Sequence, residues 1–178
     1  NIPDVIIVQD PFFMGAGHAL FLGTLSTNPE TKYILTLYGD DSFLYTQNTL
    51  KKLLSSISNN HSVFQLTTVK KKIIGSIGGL KRNTENQPIG FYTQPELIDL
   101  KAEYAEIVCG CFLFNYKWLR NHFHKITKSQ TSGEFILTSL IIIAFNEGTP
   151  ASVFEIENPN EWNGVNTSED LREAKIKK

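Results

Sequence analysis

An apolar run that ends on a glycine and a carboxylate constrains this chain more than any other stretch. Tyr33-Ile34-Leu35-Thr36-Leu37 reads as a buried strand, and it breaks at Tyr38-Gly39-Asp40-Asp41, just before a helical pattern. Open α/β sheets bind ligands outside the carboxyl ends of their strands. Asp40 would emerge there, with Gly39 removing a side chain that would otherwise obstruct a ligand. A carboxylate so placed suits a hard, hydrated cation such as Mg²⁺ held against phosphates. It suits equally an ordinary strand-end turn whose Asp caps the next helix.

Strands and helices alternate on either side of this break. Val5-Ile6-Ile7-Val8 is a short β-branched run, followed by an aromatic loop at Phe12 and Phe13. Gly15-Ala16-Gly17-His18-Ala19 opens a helix through about Leu25. Its glycines permit either close approach of an anion to a helix N-terminus or simply a glycine-rich helix start. Residues 46–57 carry Leu50, Leu53, Leu54 and Ile57 at helical spacing. Residues 62–69 alternate as a strand and run into Lys70-Lys71-Lys72, which either steers phosphates or forms a solvated strand end. Residues 75–80 are a flexible glycine-rich stretch and 82–87 a hairpin or loop. Short elements follow: a strand at 89–92, a helix at 97–104, a strand at 106–114 and a helix at 116–123. His122 and His124 have no cysteine or carboxylate at ligand spacing and read as surface residues. The apolar face of Phe135, Leu137, Leu140, Ile141, Ala144 and Phe145 predicts a helix starting at Ser132-Gly133-Glu134 and capped by Gly148. A strand at 151–155, a loop at 159–166 and a helix at 168–175, capped by Thr167 or Ser168, complete the chain. This alternation argues an α/β sheet, mostly parallel, in one domain over 1–178 with no repeat or linker.

Composition excludes several classes. With 178 residues, 41% hydrophobic and 20% charged, the chain can bury a core. A net charge of −1 gives no support for a nucleic-acid surface. Cys109 and Cys111, two apart in an apolar run, read as buried small residues on one strand face rather than a disulfide or zinc pattern. No apolar run approaches the ~20 residues of a membrane span, and nothing reads as a signal peptide. The expected location is a reducing one, the cytoplasm. The first residue is Asn1, so a longer, processed or trimmed chain is expected.

Four stretches resemble the sugar-1-phosphate nucleotidyltransferases, and among them the uridylyltransferase domain of the bacterial N-acetylglucosamine-1-phosphate uridylyltransferases. Gly15-Ala16-Gly17-His18-Ala19 is similar to that family's Gly-Thr-Gly-His-Ala, and Leu37-Tyr38-Gly39-Asp40 to its Leu-Tyr-Gly-Asp. Gly133-Glu134-Phe135-Ile136-Leu137-Thr138 is similar to its Gly-Glu-Tyr-Tyr-Leu-Thr, and Gly164-Val165-Asn166 to its Gly-Val-Asn metal segment. The resemblance implies a Rossmann-like mixed, mostly parallel sheet with helices on both faces. It also implies that the family's N-terminal strand and Gly-rich loop are lacking here. By the same resemblance a sugar phosphate oxygen attacks the α-phosphorus of a nucleoside triphosphate (UTP) and pyrophosphate leaves. Asp40 is then the catalytic carboxylate and holds Mg²⁺ with Asn166. Tyr38 and Gly39 lie beside the nucleotide, Gly15 near the base, and Gly78 and Thr138 against the sugar 1-phosphate.

The departures from the family are specific. The Thr beside its first glycine is Ala16, a nucleotide-contacting Gln is replaced by Phe13, and Gln9 is one position out of register with another. Thr93-Gln94-Pro95-Glu96 stands where the family has Glu-Glu-Lys-Asp. Val108-Cys109-Gly110 stands where it has Asn-Thr-Gly, which removes expected sugar contacts. The sequence therefore supports two readings. One is an enzyme domain whose N-terminal segment lies outside this chain or comes from another copy. The other is a non-catalytic relative that binds a nucleotide sugar or a protein partner. The chain by itself is expected to lack transfer activity and to be poorly stable.

Overall fold

The computed structural model describes residues 7–9, 14–60, 62–72 and 79–177. Its centre is a four-stranded sheet in the order β1 (Tyr33–Leu37), β5 (Tyr104–Asn115), β2 (Phe64–Lys72), β6 (Ala151–Glu155). The long strand β5 runs antiparallel to both β1 and β2, while β2 and β6 are parallel. Three of the four strands thus point the same way, in a mixed sheet. A two-stranded ribbon, β3 (Gly79–Arg82) and β4 (Pro88–Tyr92), adjoins it.

Alternation in β2 and β5 sends side chains to two apolar layers. On one face Phe64, Leu66, Phe112 and Phe114 pack with Leu119 of α4 (Tyr116–His122) and with Leu140, Ile141 and Ala144 of α5 (Thr138–Asn146). Ala16 and Leu20 of α1 (Gly15–Leu25) join this layer. On the other face Cys111 and Leu113 meet Leu53 and Ile57 of α2 (Gln47–Asn60). Helices cover both faces, as expected. Each fully buried Phe or Leu contributes roughly 1.5–3 kcal/mol by leaving water. Both cysteines are buried free thiols, which burial keeps protonated; the Cys111 thiol is pushed up to about 11.

Several boundaries differ from the sequence reading. The helix expected from Ser132 begins at Thr138. Residues 133–136 are instead drawn into backbone pairing, where Phe135 N–H donates to Met14 O, Gly17 N–H to Phe135 O, and Phe135 bridges Lys128. The helix ends as expected: Gly148 has φ +63°, and Gly148 and Thr149 N–H return to Phe145 and Ala144 O. The helix expected over 97–104 is α3 (Gln94–Asp99), started earlier by Pro95 in its first turn and by Glu96, whose carboxylate accepts from Thr93 N–H. Tyr104 opens β5 instead. The Gly79–Arg82 stretch is a strand because β4 pairs with it; Arg82 is anchored to Glu106 at 2.6 and 2.8 Å. His122 is no free surface residue, since it stacks on Trp118 at 4.2 Å and its Nε2 meets Glu147 at 3.1 Å. The strand expected over 5–8 lies partly outside the described residues, as do Phe12, Phe13 and the 75–78 part of the glycine-rich stretch.

Lys70, Lys71 and Lys72 belong to the end of β2, and each has a protein partner. Lys70 pairs with Glu155 at 3.3 Å and Lys72 with Glu103 at 3.5 Å, while Lys71 donates to Trp162 O at 2.6 Å. No helix among the described residues is long and apolar enough to cross a membrane.

Candidate active site

The site forms where β1 ends against an irregularity in β5. The register passes from Leu66 opposite Phe112 to Thr68 opposite Val108, so residues 109–111 of β5 face Thr67 alone. A bulge of this kind re-aims the backbone next to a site. Here it turns Gly110 toward the Tyr38–Asp41 turn. Tyr38 N–H donates to Gly110 O at 2.8 Å, and Gly110 N–H donates to Asp41 Oδ2 at 2.8 Å. The Tyr38 ring lies directly on Gly110, where a Cβ would fall 2.6 Å from Tyr38 Cγ. Ser42 closes the turn through its hydroxyl and its N–H, both donated to Tyr38 O.

Asp40 is exposed at the tip of this turn. Its carbonyl accepts from Val165 N–H at 2.8 Å, which brings Asn166 beside it across 126 positions of sequence. Asn166 is exposed as well, and its own N–H and that of Thr167 donate to Asp170 Oδ2 at the start of α6 (Ser168–Lys177). Thr167 Oγ1 accepts from Asp170 N–H in return, so Thr167 is the cap. A Cβ at Gly39 would meet nothing within 4 Å. The protein itself therefore does not require glycine there.

Tyr38 and Thr138 line one cavity of about 340 Å³, together with Asp41, Gly79, Phe91, Val108, Cys109 and Gly110. Gly78 precedes Gly79 but lies outside the described residues. Burial, then the neighbouring Asp41 and Asp40 carboxylates, push the Tyr38 phenol up to about 12, so it keeps its proton and can donate. Burial raises the Asp41 carboxyl, against the lowering pull of its bonds to Gly110 and Trp162. Gly15 lies elsewhere. Its φ is +83°, and a Cβ there would sit 2.8 Å from Phe135 O and Glu134 Cβ, so it serves the close approach of α1 to residues 134–135. Gln9 Nε2 donates to Gly15 O and meets His18 Nδ1 at 3.0 Å. A larger, mostly apolar cavity of about 560 Å³ between α1 and α4 is lined by Gly17 and His18 of the first motif and by Phe135 of the third, but by none of the residues expected to contact substrate or metal.

The structure thus brings the segment of Asn166 to Asp40 by a backbone bond, and places Tyr38, expected beside the nucleotide, in the same cavity as Thr138, expected against the sugar 1-phosphate. The sequence reading misses Asp41, Gly110 and Trp162. The doubled carboxylate at 40–41 is the only sequence signal for Asp41, and a glycine between two buried cysteines is the only one for Gly110.

No family model matches the chain. It is 30% identical over 171 residues to the bifunctional protein GlmU of Buchnera aphidicola subsp. Acyrthosiphon pisum (strain APS), covering 96% of this chain and 36% of that protein. It is 26% identical over 162 residues to the bifunctional protein GlmU of Alkaliphilus metalliredigens (strain QYMF), covering 90% of this chain and 35% of that one. The chain therefore spans about a third of the length of the curated relatives it matches. In fold it is similar to a CMP:2-keto-3-deoxy-manno-octonic acid synthetase solved with CTP, with a TM-score of 0.63 at 15% identity, over 90% of this chain and 66% of that one. By sequence over nine-tenths of its length the chain is similar to the uridylyltransferase region of the GlmU proteins, and its fold is that of a nucleotidyltransferase.

Proposed function

We propose that this chain carries the greater part of a site that transfers a uridylyl group from UTP to a sugar 1-phosphate, N-acetylglucosamine 1-phosphate by its motifs. The observation that carries the reading is the Asp40–Val165 backbone bond. It joins the turn of Asp40, whose neighbours Tyr38 and Asp41 line the cavity with Thr138, to the segment that carries Asn166, and both side chains are exposed.

The donor set fits Mg²⁺. Among the described residues no three His, Cys, Asp or Glu side chains gather into a metal-holding group. A carboxylate and an amide oxygen, completed by water and substrate phosphates, are what this ion ordinarily takes. Asp40 and Asn166 would hold it. When bound, the ion neutralises charge on the phosphates of both substrates.

In the reaction one sugar phosphate oxygen forms a bond to the α-phosphorus as the bond to the pyrophosphate oxygen breaks. Such chemistry needs positioning and charge neutralisation more than covalent help from the protein. The open space at Gly39 admits the nucleotide next to Asp40. Thr138 offers a hydroxyl donor to the sugar phosphate, Tyr38 offers one on the nucleotide's side, and Phe91, Val108 and Phe112 exclude water from the cavity between them.

The test is Asp40→Ala in the intact protein, with pyrophosphate release followed from UTP and N-acetylglucosamine 1-phosphate as Mg²⁺ is varied. Turnover is expected to fall by about 100-fold or more, the scale of losing one electrostatic stabiliser. Sugar-phosphate affinity should change little. Unchanged turnover would remove Asp40 from the mechanism.

A further inference from the structure

The segment that carries Asn166 has a distance to cover. β6 stands three strand positions from β1, about 14 Å at the usual spacing of ~4.8 Å. Residues 156–165 must cross back over the ends of β2 and β5 before Val165 can reach Asp40. Trp162 lies on that path and is held from both sides. Lys71, at the end of β2, donates to the Trp162 carbonyl at 2.6 Å, and its ammonium stands 5.1 Å from the centre of the indole ring. On the other side the indole Nε1–H donates to Asp41 Oδ2 at 3.2 Å. That same oxygen accepts Gly110 N–H at 2.8 Å. Asp41 Oδ1 is buried without a hydrogen-bond partner, so the carboxylate is committed through one oxygen to these two donors.

We infer that Asp41 is a positioning residue, a strap that ties the β5 bulge to Trp162 and thereby fixes Asn166 against Asp40. Asp41 joins three parts of the site: its own turn, the bulge at Gly110, and the returning segment at Trp162. Asp40 is next to it in sequence, and Val165 is three residues beyond Trp162. Without the strap, the returning segment is still tied to β2 and to the start of α2 by Lys71 at Trp162 and Thr46 at Glu161, and the Asp40–Val165 bond remains as its direct link to the Tyr38–Asp41 turn. The inference rests on the proposed function for what the spacing serves, and on geometry alone for the strap itself.

The experiment uses the intact protein with Trp162→Phe, Asp41→Ala and Asp41→Asn, and Asp40→Ala as the control. Trp162→Phe keeps an aromatic ring to face Lys71 and removes the indole N–H together with part of the ring. Two quantities are read: the hydrogen-exchange rate of the Val165 amide, and Mn²⁺ affinity by electron paramagnetic resonance as a probe for Mg²⁺. Losing one hydrogen bond should speed Val165 exchange about three- to tenfold in Trp162→Phe, and more in Asp41→Ala. Mn²⁺ binding should weaken by a similar factor while β2 amides keep their protection. Asp41→Asn retains a carbonyl oxygen for both donors and should stay within about twofold of wild type. Unchanged Val165 exchange in Trp162→Phe would overturn the strap, even if Asp41→Ala fails to fold. Faster Val165 exchange with unaltered Mn²⁺ affinity would overturn the positioning role, provided Asp40→Ala abolishes binding. If Asp40→Ala binds Mn²⁺ like wild type, the metal assignment falls instead, and Val165 exchange alone decides the strap.

Discussion

Gly39 follows Tyr38 and Gly110 lies under its ring, and a side chain at the two positions would meet opposite surroundings. A methyl group at 110 would drive into the Tyr38 ring at 2.6 Å, whereas at 39 it would meet nothing within 4 Å. Gly110→Ala should therefore destabilise the fold by about 1–3 kcal/mol, the ordinary cost of overpacking, as measured by denaturant unfolding. Gly39→Ala should leave stability within about 0.5 kcal/mol and, on the proposed function, raise KM for UTP, since the open space there is the one proposed for the nucleotide. Equal losses of stability in the two variants would show that Gly39 serves packing after all. At Gly15 the structure adds a packing reason for glycine to the expected place near the base. The residue is confined by Glu134 and Phe135, contacts that no local pattern announces.

At the scale of elements, β2 and β5 are pinned to the ribbon by Arg82 and Glu106. Burial pushes the Glu106 carboxyl up, but hydrogen bonds from Arg82 and Thr68 outweigh it and hold the group below its ordinary value of 4.5. A depressed carboxyl contributes stability that is fully present above its unfolded value and is lost as pH falls through the folded one. Glu106→Gln should therefore be less stable than wild type at neutral pH, with the gap closing below pH 4.5. A gap that stays constant with pH would contradict the assignment. Elements with a strong local period were legible: β1 and β6 fall on the expected residues, and so does α1. The misplaced start of α5 has a tertiary cause, since Phe135 and Leu137 continue the apolar period backward while bonds to Met14 and Gly17 hold the chain extended. The β5 bulge was invisible for a related reason. It exists only in the register between two strands, and with it went the roles of Gly110 and Asp41.

For the molecule as a whole, direction explains the site. β1 and β6 point the same way, so the turn after one and the segment after the other both emerge at one edge of the sheet. That is where ligands bind in open α/β folds. The pairing of Asp40 with Asn166 came from likeness to a family, and the backbone bond from Val165 to Asp40 is the contact that joins their segments. That Tyr38 and Thr138 line one cavity was not legible in the sequence, since β1 and α5 meet through the core rather than along the chain. The most direct test of the central claim, that Asp40 and Asn166 serve one ion in one transfer site, is a double-mutant cycle on Mg²⁺-dependent pyrophosphate release. Asp40→Ala, Asn166→Ala and the double variant are compared in the intact protein. If the two residues act as a unit, the double variant should be no slower than the slower single variant. Losses that multiply, or a wild-type protein that releases no pyrophosphate from UTP and N-acetylglucosamine 1-phosphate, would contradict the account.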